Sequence, residues 1–496
     1  MLNNLRNKVV DFIDSKKETP IIAALAAGLY PLLYYYDKNF TLVNSWSQFF
    51  FFAFIYILIP AVSFYLLYKF FFKTSFLKKY SGYILPVLNL SIFTFLIILS
   101  TFGFDNKENF LLLLIPIALG VLLKKHFKKV IVFQLLLSCF VFSKLLPNFH
   151  RHLTYSSAWM QQPDTIEEVL FKKRPNVYII QPDGYANFAE LNKSNYNYDN
   201  SKFESFLVEN NFKLYPNYRS NYSSTLSSNS SMFSMKHHYF HEPKPGMNEL
   251  YNARDIIVGK NPVISIFKKN NYKTLLLLEK PYLLLNRPEI EYDYSNLINK
   301  EVSYLSKGNV IVRDLVKDLE TSIISNAKTN NFYFIEKIKP GHIANYKSGS
   351  KGADIGRLNY LKELEESNVW LKQTIDIITK NDSNSLIVVV ADHGGFVGMD
   401  YTSQSKVKQT ERDLVYTIFT SALAIKWPNQ APNFDDKLKT NVNLFRILFA
   451  YLSENEQYLE HLQEDKSYTI IEKKAPFGVY ELINEEGEVV FNKIQF

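Results

Sequence analysis

Hydrophobic residues are concentrated in the first third of the chain, where they form long runs that contain almost no charge. Most of these runs approach the roughly 17–25 residues that a membrane-spanning helix needs. The five runs are Pro20–Tyr36, Trp46–Phe72, Tyr83–Phe102, Phe110–Leu123 and Val130–Leu146. A buried helical bundle in a soluble protein seldom has five such runs in succession. The pattern therefore predicts an α-helical membrane domain with five transmembrane helices.

The charged residues between the runs predict how this domain is oriented. The N-terminal arm and the links at 69–79 and 124–129 are rich in lysine and arginine. The links after the first and third runs carry little net charge: the first has Asp37 and Lys38, and the other has Asp105, Lys107 and Glu108. Because basic links remain in the cytoplasm, the N-terminus is expected there, and five crossings place everything after about Leu146 outside. We predict a multi-pass protein of the cell membrane.

The remaining two thirds of the chain alternate between short β-branched runs and segments with helical periodicity. The predicted strands are Val177–Gln181, Lys273–Leu278, Asn331–Lys337, the run that ends before Asp392, and Tyr416–Ile425. The predicted helices are Lys202–Asn211, Pro262–Asn270, Val310–Thr329, Leu358–Thr379 and Asn441–Leu452. Such alternation predicts an α/β fold with a doubly wound, mainly parallel sheet. We expect a transmembrane domain at 1–148, a linker at 149–173 and an extracytoplasmic domain at 174–496.

Composition narrows the classes of function. The formal net charge is +8 at pH 7, but part of this excess flanks the apolar runs. No basic stripe is evident on the folded domain, so a nucleic-acid partner is not expected. Cys139, in the fifth run, is the only cysteine, which excludes an intramolecular disulfide. The outer domain must therefore be stabilised by burial of its core alone.

Two predicted strands end in side chains that bind cations. The apolar run from Ser385 ends in Asp392 and His393, followed by two glycines, and the strand at Val177–Gln181 ends in Pro182, Asp183 and Gly184. Ligands of open α/β sheets bind beyond the carboxyl ends of the strands, and Asp and His can share one metal ion. An Asp-Gly pair alone is also ordinary turn chemistry. The two carboxylates together with His393 favour a metal site.

A hydroxyl-rich segment, Arg219–Met235, is the third candidate element. Its Tyr-Ser-Ser-Thr run can cap a helix that begins near Thr225. A hydroxyl at a helix N-terminus lies in a field that favours anions. Taken alone, the segment fits a serine-rich helix cap at least as well as a nucleophile, and Ser223, Ser224 and Ser227 offer neighbouring hydroxyls.

Together these motifs resemble the alkaline phosphatase/sulfatase superfamily. More narrowly, the chain is similar to bacterial membrane-anchored sulfatase-like proteins, which include lipoteichoic acid synthases and phosphoethanolamine transferases. The resemblance covers roughly residues 174–470. The motifs are Pro182-Asp-Gly-Tyr185, Arg219-Ser-Asn-Tyr-x-x-Thr225, Ala391-Asp-His-Gly394, and the tail segments Asn441–Arg446 and Asp465–Tyr468.

The resemblance implies roles for individual residues. Asp183, Thr225, Asp392 and His393 would hold one divalent metal ion (Zn, Mn or Mg), and Thr225 would be the nucleophile. No other cofactor is implied. In Lys339-Pro-Gly-His342, His342 would lie beside the substrate and donate to a substrate oxygen or protonate the leaving group. The alternative is a loop histidine without a role in the chemistry.

The chain departs from the family pattern in two places. The Cys/Ser-x-Pro-x-Arg motif that is converted to formylglycine in one class of sulfatases is missing from the hydroxyl-rich segment. Only His461 lies downstream of His393, where members with two metals have further ligands, so a second metal is not expected. His237, His238 and His241 form a cluster that is either incidental or lines the substrate cleft.

The expected reaction is displacement at the phosphorus of a phosphodiester in a membrane lipid or an envelope glycan, with water or a second alcohol as acceptor. Two alternatives remain: a sulfuric ester hydrolase, and an inactive binding or sensory module on the same fold. A transporter with an appended domain is less favoured, because the apolar runs contain few charges. The sequence indicates neither the oligomeric state nor the identities of donor and acceptor.

Overall fold

The computed structural model describes residues 2–102, 112, 114–193, 195–241, 243, 245, 249–305 and 311–495. The chain divides into two compact units. The first consists of residues 1–156 with 303–305, and the second of residues 157–302 and 306–496. The limits of the linker predicted at 149–173 stay a prediction.

The described secondary structure of the first unit is helical. Its helices are α1 (Leu2–Asp14), α2 (Pro20–Asn39), α3 (Trp46–Ala53), α4 (Ile59–Lys73), α5 (Ser81–Phe102), α6 (Leu114–Leu122) and α7 (Phe127–Thr154). A π-helical turn at Phe54–Leu58 joins α3 to α4, and a 3₁₀ turn at Leu123–His126 joins α6 to α7. The run predicted at Trp46–Phe72 is therefore one continuous helical stretch, and the break predicted between Leu123 and Val130 lies within a second one.

Three of these stretches in the described part of the chain are long and apolar enough to cross a membrane, judged by length and composition. They are Trp46–Lys73, Lys78–Thr101 and Leu114–Thr154. The predicted number of five is not confirmed, because the first run is not among them and the last two runs fall within one stretch. The near-neutral link at 105–108 lies outside the described residues. The same is true of Phe110, Leu111 and Leu113 in the fourth run.

Small and amide side chains hold these helices together. A β-carbon on Gly28 of α2 would lie 1.7 Å from the backbone oxygen of Tyr56, so glycine permits this close approach. The buried amide of Asn89 on α5 donates to the carbonyl of Ala23 at 2.7 Å and to the side-chain oxygen of Gln134 at 2.9 Å. One amide therefore links α2, α5 and α7.

A seven-stranded sheet forms the centre of the second unit. Its strands are β1 (Val177–Pro182), β2 (Lys213–Leu214), β3 (Tyr272–Leu278), β4 (Tyr294–Ser295), β5 (Asn330–Lys337), β6 (Leu386–Val390) and β7 (Leu423–Lys426), in the order β2-β7-β6-β1-β5-β3-β4. The four pairings among β4, β3, β5, β1 and β6 are parallel, while β7 runs antiparallel to both β6 and β2. The predicted mainly parallel sheet is confirmed, with a mixed edge.

Helices cover both faces of this sheet. They are α8 (Phe188–Leu191), α9 (Ser201–Glu209), α10 (Thr225–Ser234), α11 (Ala253–Val258), α12 (Pro262–Lys269), α13 (Leu315–Ser325), α14 (Ala353–Asn381), α15 (Arg412–Phe419) and α16 (Leu444–Ser453). Alternate residues of β1 belong to different cores. Ile179 lies in the core with α10, α12 and α16, and Ile180 lies in the core with α9, α13 and α14. Burial on both faces explains why the strands are nearly continuous apolar runs.

Two sequence-based assignments require correction. The predicted strand Tyr416–Ile425 is wrong in its first half, since Arg412–Phe419 is a helix and only Leu423–Lys426 is a strand. Val415, Ile418 and Phe419 are buried with helical spacing, which the short apolar run concealed. The chain also ends in an unpredicted antiparallel sheet formed by β8 (Ser467–Ile471), β9 (Gly478–Ile483) and β10 (Val489–Lys493).

Candidate active site

The parallel pairing of β1 with β6 brings three cation-binding side chains to one edge of the sheet. Asp183 follows β1, and Asp392 and His393 follow β6. One ligand atom from each lies within 4.8 Å of the others, and all three side chains are buried. The His393 Nε2 atom is 3.4 Å from Asp183 Oδ1 and 3.4 Å from Asp392 Oδ2. The three predicted ligands therefore converge.

A glycine sets the geometry of this edge. The backbone N–H of Gly184 donates to Asp392 Oδ1 at 2.9 Å, which links the turn after β1 to the carboxylate after β6. Gly184 has a φ of +68°, and a β-carbon there would lie 2.1 Å from the carbonyl oxygen of Gly341. Only glycine combines this conformation with this close approach.

Thr225 is brought to the same cluster by the start of α10. Its hydroxyl lies 3.3 Å from Asp183 Oδ1 and 3.2 Å from His393 Nε2. The neighbouring hydroxyls have other partners: Ser224 caps the helix by accepting from the N–H of Ser227 at 3.4 Å, and Ser223 contacts Thr469 at 3.1 Å. The predicted helix start is confirmed, and the structure places Thr225 at the carboxylates.

The residues present fit a divalent cation. Asp392 Oδ2 is buried and has no hydrogen-bond partner among the described residues, although such an oxygen normally requires one. The Nδ1 atom of His393 lies 2.8 Å from the carbonyl oxygen of Gly394, and donation there leaves the Nε2 lone pair directed at the carboxylates. Two carboxylates, an imidazole and a hydroxyl are a suitable donor set for Zn²⁺ or a harder cation.

Burial and mutual repulsion govern the protonation of this cluster. Burial, followed by the nearby charge of Asp392, raises the pKa of Asp183 to about 8. Burial opposes a charge on His393, yet Asp392 and Asp183 outweigh it and raise the pKa of that imidazole. Glu336, near the end of β5, is fully buried, and burial together with Asp183 and Asp392 raises its pKa well above the usual range. Negative charge on these buried carboxyl groups is therefore disfavoured unless a positive charge lies nearby.

His342 lies on the loop after β5 and faces the same space. Its ring centre is 6.0 Å from that of His393, and its Nδ1 atom is 2.7 Å from the carbonyl oxygen of Ile343. Desolvation of the imidazole by the surrounding protein lowers the pKa of His342, and the nearby charge of His393 lowers it further. Donation from Nδ1 to the carbonyl leaves Nε2 as a proton acceptor.

A cavity of about 320 Å³ opens on this cluster. Asp183, Thr225, His342 and His393 form part of its wall. Other lining residues were not predicted from the sequence, and they include Glu249, Tyr282, Asn345, Ser403, Ser405 and Lys406. Lys406 is the only lysine or arginine in the described lining, and its ammonium lies 3.4 Å from Glu472. These residues lie on loops or in the 3₁₀ turns Pro281–Leu284 and Thr402–Lys406, which carry no recognisable motif, so no sequence signal identified them.

Hydrogen bonds and ring contacts hold the cluster of His237, His238 and His241 against neighbouring segments of the protein. His237 Nε2 lies 2.8 Å from the carbonyl oxygen of Glu464, and its Nδ1 is 3.2 Å from the Tyr222 hydroxyl. His238 Nε2 lies 2.9 Å from the carbonyl oxygen of Ser227, while its Nδ1 accepts from the N–H of Phe240 at 2.8 Å. His241 packs on Trp159, with ring centres 4.7 Å apart. His461 ends a 3₁₀ turn at Glu456–His461. None of the four lines the described cavity.

Comparisons with known proteins give matches to solved structures only. No protein-family model matches the chain, and no curated protein matches it. The chain is similar to the full-length lipooligosaccharide phosphoethanolamine transferase EptA of Neisseria meningitidis, with 10% identity over 89% of this chain and 97% of that one, at a TM-score of 0.39.

Two further matches cover less of this chain. The periplasmic domain of EptC from Escherichia coli in complex with Zn is 11% identical over 64% of this chain and 96% of that one, with a TM-score of 0.41. YidJ of Bacteroides fragilis, a candidate sulfatase, is 12% identical over 60% and 81% of the two chains, with a TM-score of 0.39. At these values the matches carry no argument about the reaction. The chain is thus similar to solved structures of phosphoethanolamine transferases and of a candidate sulfatase.

Proposed function

We propose that this protein is a membrane-anchored, metal-dependent enzyme that transfers or hydrolyses phosphate esters with Thr225 as its nucleophile. One observation carries the proposal. The Thr225 hydroxyl lies 3.3 Å from Asp183 Oδ1 and 3.2 Å from His393 Nε2, in the wall of a cavity. A hydroxyl held against a cation-binding cluster at a helix N-terminus is the arrangement that nucleophilic attack on phosphorus requires.

Asp183, Thr225, Asp392 and His393 would hold the cation. Once bound, a divalent cation lowers the pKa of a ligated hydroxyl and offsets the charge that develops on phosphoryl oxygens. The start of the ten-residue helix α10 adds a potential that favours the same oxygens. The buried, unpartnered Oδ2 of Asp392 supports a single cation at this position.

The proposed reaction has two displacements at phosphorus. In the first, the Thr225 hydroxyl loses its proton and its oxygen bonds to phosphorus, the bond to the donor's alcohol oxygen breaks, that oxygen takes up a proton and leaves as the alcohol, and a phosphothreonine ester forms. In the second, water or an acceptor hydroxyl attacks that phosphorus and the Thr225 oxygen leaves. The free Nε2 of His342 accepts the proton of the incoming hydroxyl in this second step. The family resemblance instead implies that His342 donates to a substrate oxygen or protonates the leaving group.

The charges of the cavity support a phosphodiester as substrate. Lys406 contributes the only lysine or arginine side chain to the described lining, so one cationic group is available for a non-bridging phosphoryl oxygen. Three apolar stretches long enough to cross a membrane support substrates in the bilayer plane. We therefore propose a lipid head group as donor, with an envelope lipid or glycan as acceptor, on the outer side of the membrane.

An inactive binding module is less well supported, since every residue needed for the chemistry is present and placed together. Purified full-length protein should be assayed with bis-p-nitrophenyl phosphate and with p-nitrophenyl sulfate, after metal removal and after adding Zn²⁺, Mn²⁺ or Mg²⁺. We expect turnover of the phosphodiester only with metal, and none by Thr225→Ala. Faster turnover of the sulfate would favour the sulfatase alternative. Absence of turnover of either ester with every metal would contradict the proposed enzyme.

A further inference from the structure

The C-terminal segment 465–469 runs beside the segment 219–223, which leads directly into the helix of Thr225. Arg219 donates to the carbonyls of Asp465 and Asn484, the latter at 2.7 Å. The Ser467 hydroxyl donates to the carbonyl of Ser220 at 2.7 Å. The two segments therefore meet at Arg219 and Asp465, the first residues of two of the sequence motifs that carried the resemblance.

The contacts continue residue by residue toward Thr225. The Asn221 amide donates to the carbonyl of Lys466 at 2.8 Å, and the N–H of Tyr468 donates to the carbonyl of Asn221 at 2.8 Å. Tyr222 and Tyr468 form a parallel β-bridge, and both rings are buried. The last contact joins the hydroxyls of Ser223 and Thr469 at 3.1 Å.

The same strand, β8, leads to a second wall of the catalytic cavity. The N–H of Glu472, one residue beyond the strand, donates to the carbonyl of Lys406 at 2.8 Å. The Glu472 carboxylate lies 3.4 Å from the Lys406 ammonium. Ser223 and Lys406 both line the cavity, whereas Thr469 and Glu472 do not. One strand therefore contacts two cavity walls from outside.

We propose that β8 is a positioning element of the catalytic cavity, in which Thr469 fixes the approach to Thr225 through Ser223 and Glu472 fixes Lys406. Residues 219–224 lack helix and regular strand, so the position in which this segment holds the N-terminus of α10 depends on lateral contacts such as these. An error of about 1 Å in the position of a reacting group can cost about a hundredfold in rate. The effect on turnover rests on the proposed function, whereas the positioning of α10 does not.

The test uses full-length protein in detergent with three variants. Thr469→Val keeps the shape and removes the hydroxyl, and Thr469→Ser keeps the hydroxyl. Thr374→Val is the matched control, because Thr374 is equally buried but donates to the carbonyl of Trp370 at 2.8 Å, within α14. Amide hydrogen exchange of peptides covering 223–230 measures positioning without any substrate. Steady-state kinetics with bis-p-nitrophenyl phosphate measures how this positioning affects turnover.

We expect Thr469→Val to speed exchange at 223–230 several-fold and to lower kcat about tenfold with KM within about twofold of wild type. Thr469→Ser should restore both, and Thr374→Val should change neither. Unchanged exchange and unchanged kcat in Thr469→Val would overturn the inference. An equal loss in Thr374→Val would also overturn it, because the effect would then be general destabilisation. If wild-type protein has no turnover, the proposed function fails, and the exchange result alone decides the inference.

Discussion

The backbone N–H of Gly184 donates to Asp392 Oδ1 at 2.9 Å, although the two residues lie 208 positions apart in the chain. This bond crosses from the turn after β1 to the end of β6, which are neighbouring parallel strands. It fixes one oxygen of Asp392, while the other, Oδ2, lies 3.4 Å from His393 Nε2 and has no hydrogen-bond partner among the described residues. The turn thus carries one candidate metal ligand, Asp183, and orients the carboxylate of a second, Asp392.

Replacing Gly184 with alanine should therefore damage the metal site. The new β-carbon would lie 2.1 Å from the carbonyl oxygen of Gly341, in a conformation with φ of +68° that alanine disfavours. We expect metal affinity to fall at least about tenfold, as measured by metal-dependent turnover and by calorimetric titration. Gly349→Ala is the control, since its β-carbon would meet only Ala344 at 4.0 Å. Wild-type metal affinity in Gly184→Ala would contradict this account.

Removing the Thr225 hydroxyl should abolish turnover and leave the fold intact. Thr225 begins α10, and its side chain contacts the acidic cluster through the hydroxyl. We expect Thr225→Ala to lower kcat by about 10³-fold or more, and Thr225→Ser to retain part of the activity. Circular dichroism and thermal melting should stay close to wild type. Normal turnover by Thr225→Ala, with loss in Ser223→Ala or Ser224→Ala, would place the nucleophile elsewhere.

Loss of His342 should trap the covalent intermediate. If Nε2 of His342 accepts the proton of the incoming hydroxyl, then His342→Ala slows the second displacement more than the first. We expect a phosphate adduct on the proteolytic peptide that contains Thr225, detected by mass spectrometry after mixing with a phosphodiester. The adduct should be absent from Thr225→Ala protein treated in the same way. Equal slowing of both steps, without an adduct, would argue for a different role of His342.

Metal-free protein should lose stability as pH rises. The pKa of Asp183 is about 8 in the folded protein against 3.8 for an unperturbed group, so the folded state binds more protons between these values. The free energy of unfolding should therefore fall from about pH 4 to about pH 8 in chelator. Added metal should raise the melting temperature most at the upper end of this range, because it replaces the bound proton.

Asp183→Asn provides the control for this pH effect. Without the titrating carboxyl, the free energy of unfolding in chelator should fall less steeply with pH. Some decline should remain, because the pKa of buried Glu336 is also raised. Differential scanning calorimetry at several pH values measures the slope. A slope in Asp183→Asn as steep as in wild type would show that other groups dominate.

The orientation in the membrane is tested with reporter fusions. The alternation of basic and near-neutral links predicts that residues after about Leu146 lie outside. Alkaline phosphatase fused after Phe496 should be active, and a cytoplasmic reporter fused there should be inactive. The reverse pattern would overturn the topology and, with it, the proposed lipid substrate.

The parts of the fold and site that could be predicted from the sequence are those with strong local signals. The strand ends at Asp183 and Asp392 follow from unbroken apolar runs that stop at polar residues, and the parallel sheet follows from their alternation with helices. The start of α10 at Thr225 follows from the capping residues before it. Because ligands bind at the carboxyl ends of the strands, these local patterns were enough to predict that the candidate ligands lie close together.

Features that depend on distant contacts could not be predicted. The short apolar stretch near Phe419 fits a strand or a helix equally well, and its packing in the core decides for the helix. Lys406 lines the cavity and contacts Glu472, which is 66 positions away in the chain. Likewise, no local pattern reveals that Thr469 contacts Ser223 across 246 positions. Such pairings are properties of the tertiary fold.

The central place of β1 in the sheet has a consequence for the protein's biosynthesis. β1 is made first, yet its two neighbours, β5 and β6, begin only at Asn330 and Leu386. Asp183 therefore emerges from the ribosome long before Asp392 and His393, and no cation can be held between them until nearly the whole chain has been made. With the proposed topology, the complete site first exists after export. The growing chain would thus carry Thr225, the proposed nucleophile, apart from two of its candidate metal ligands until the residues after β6 have been made.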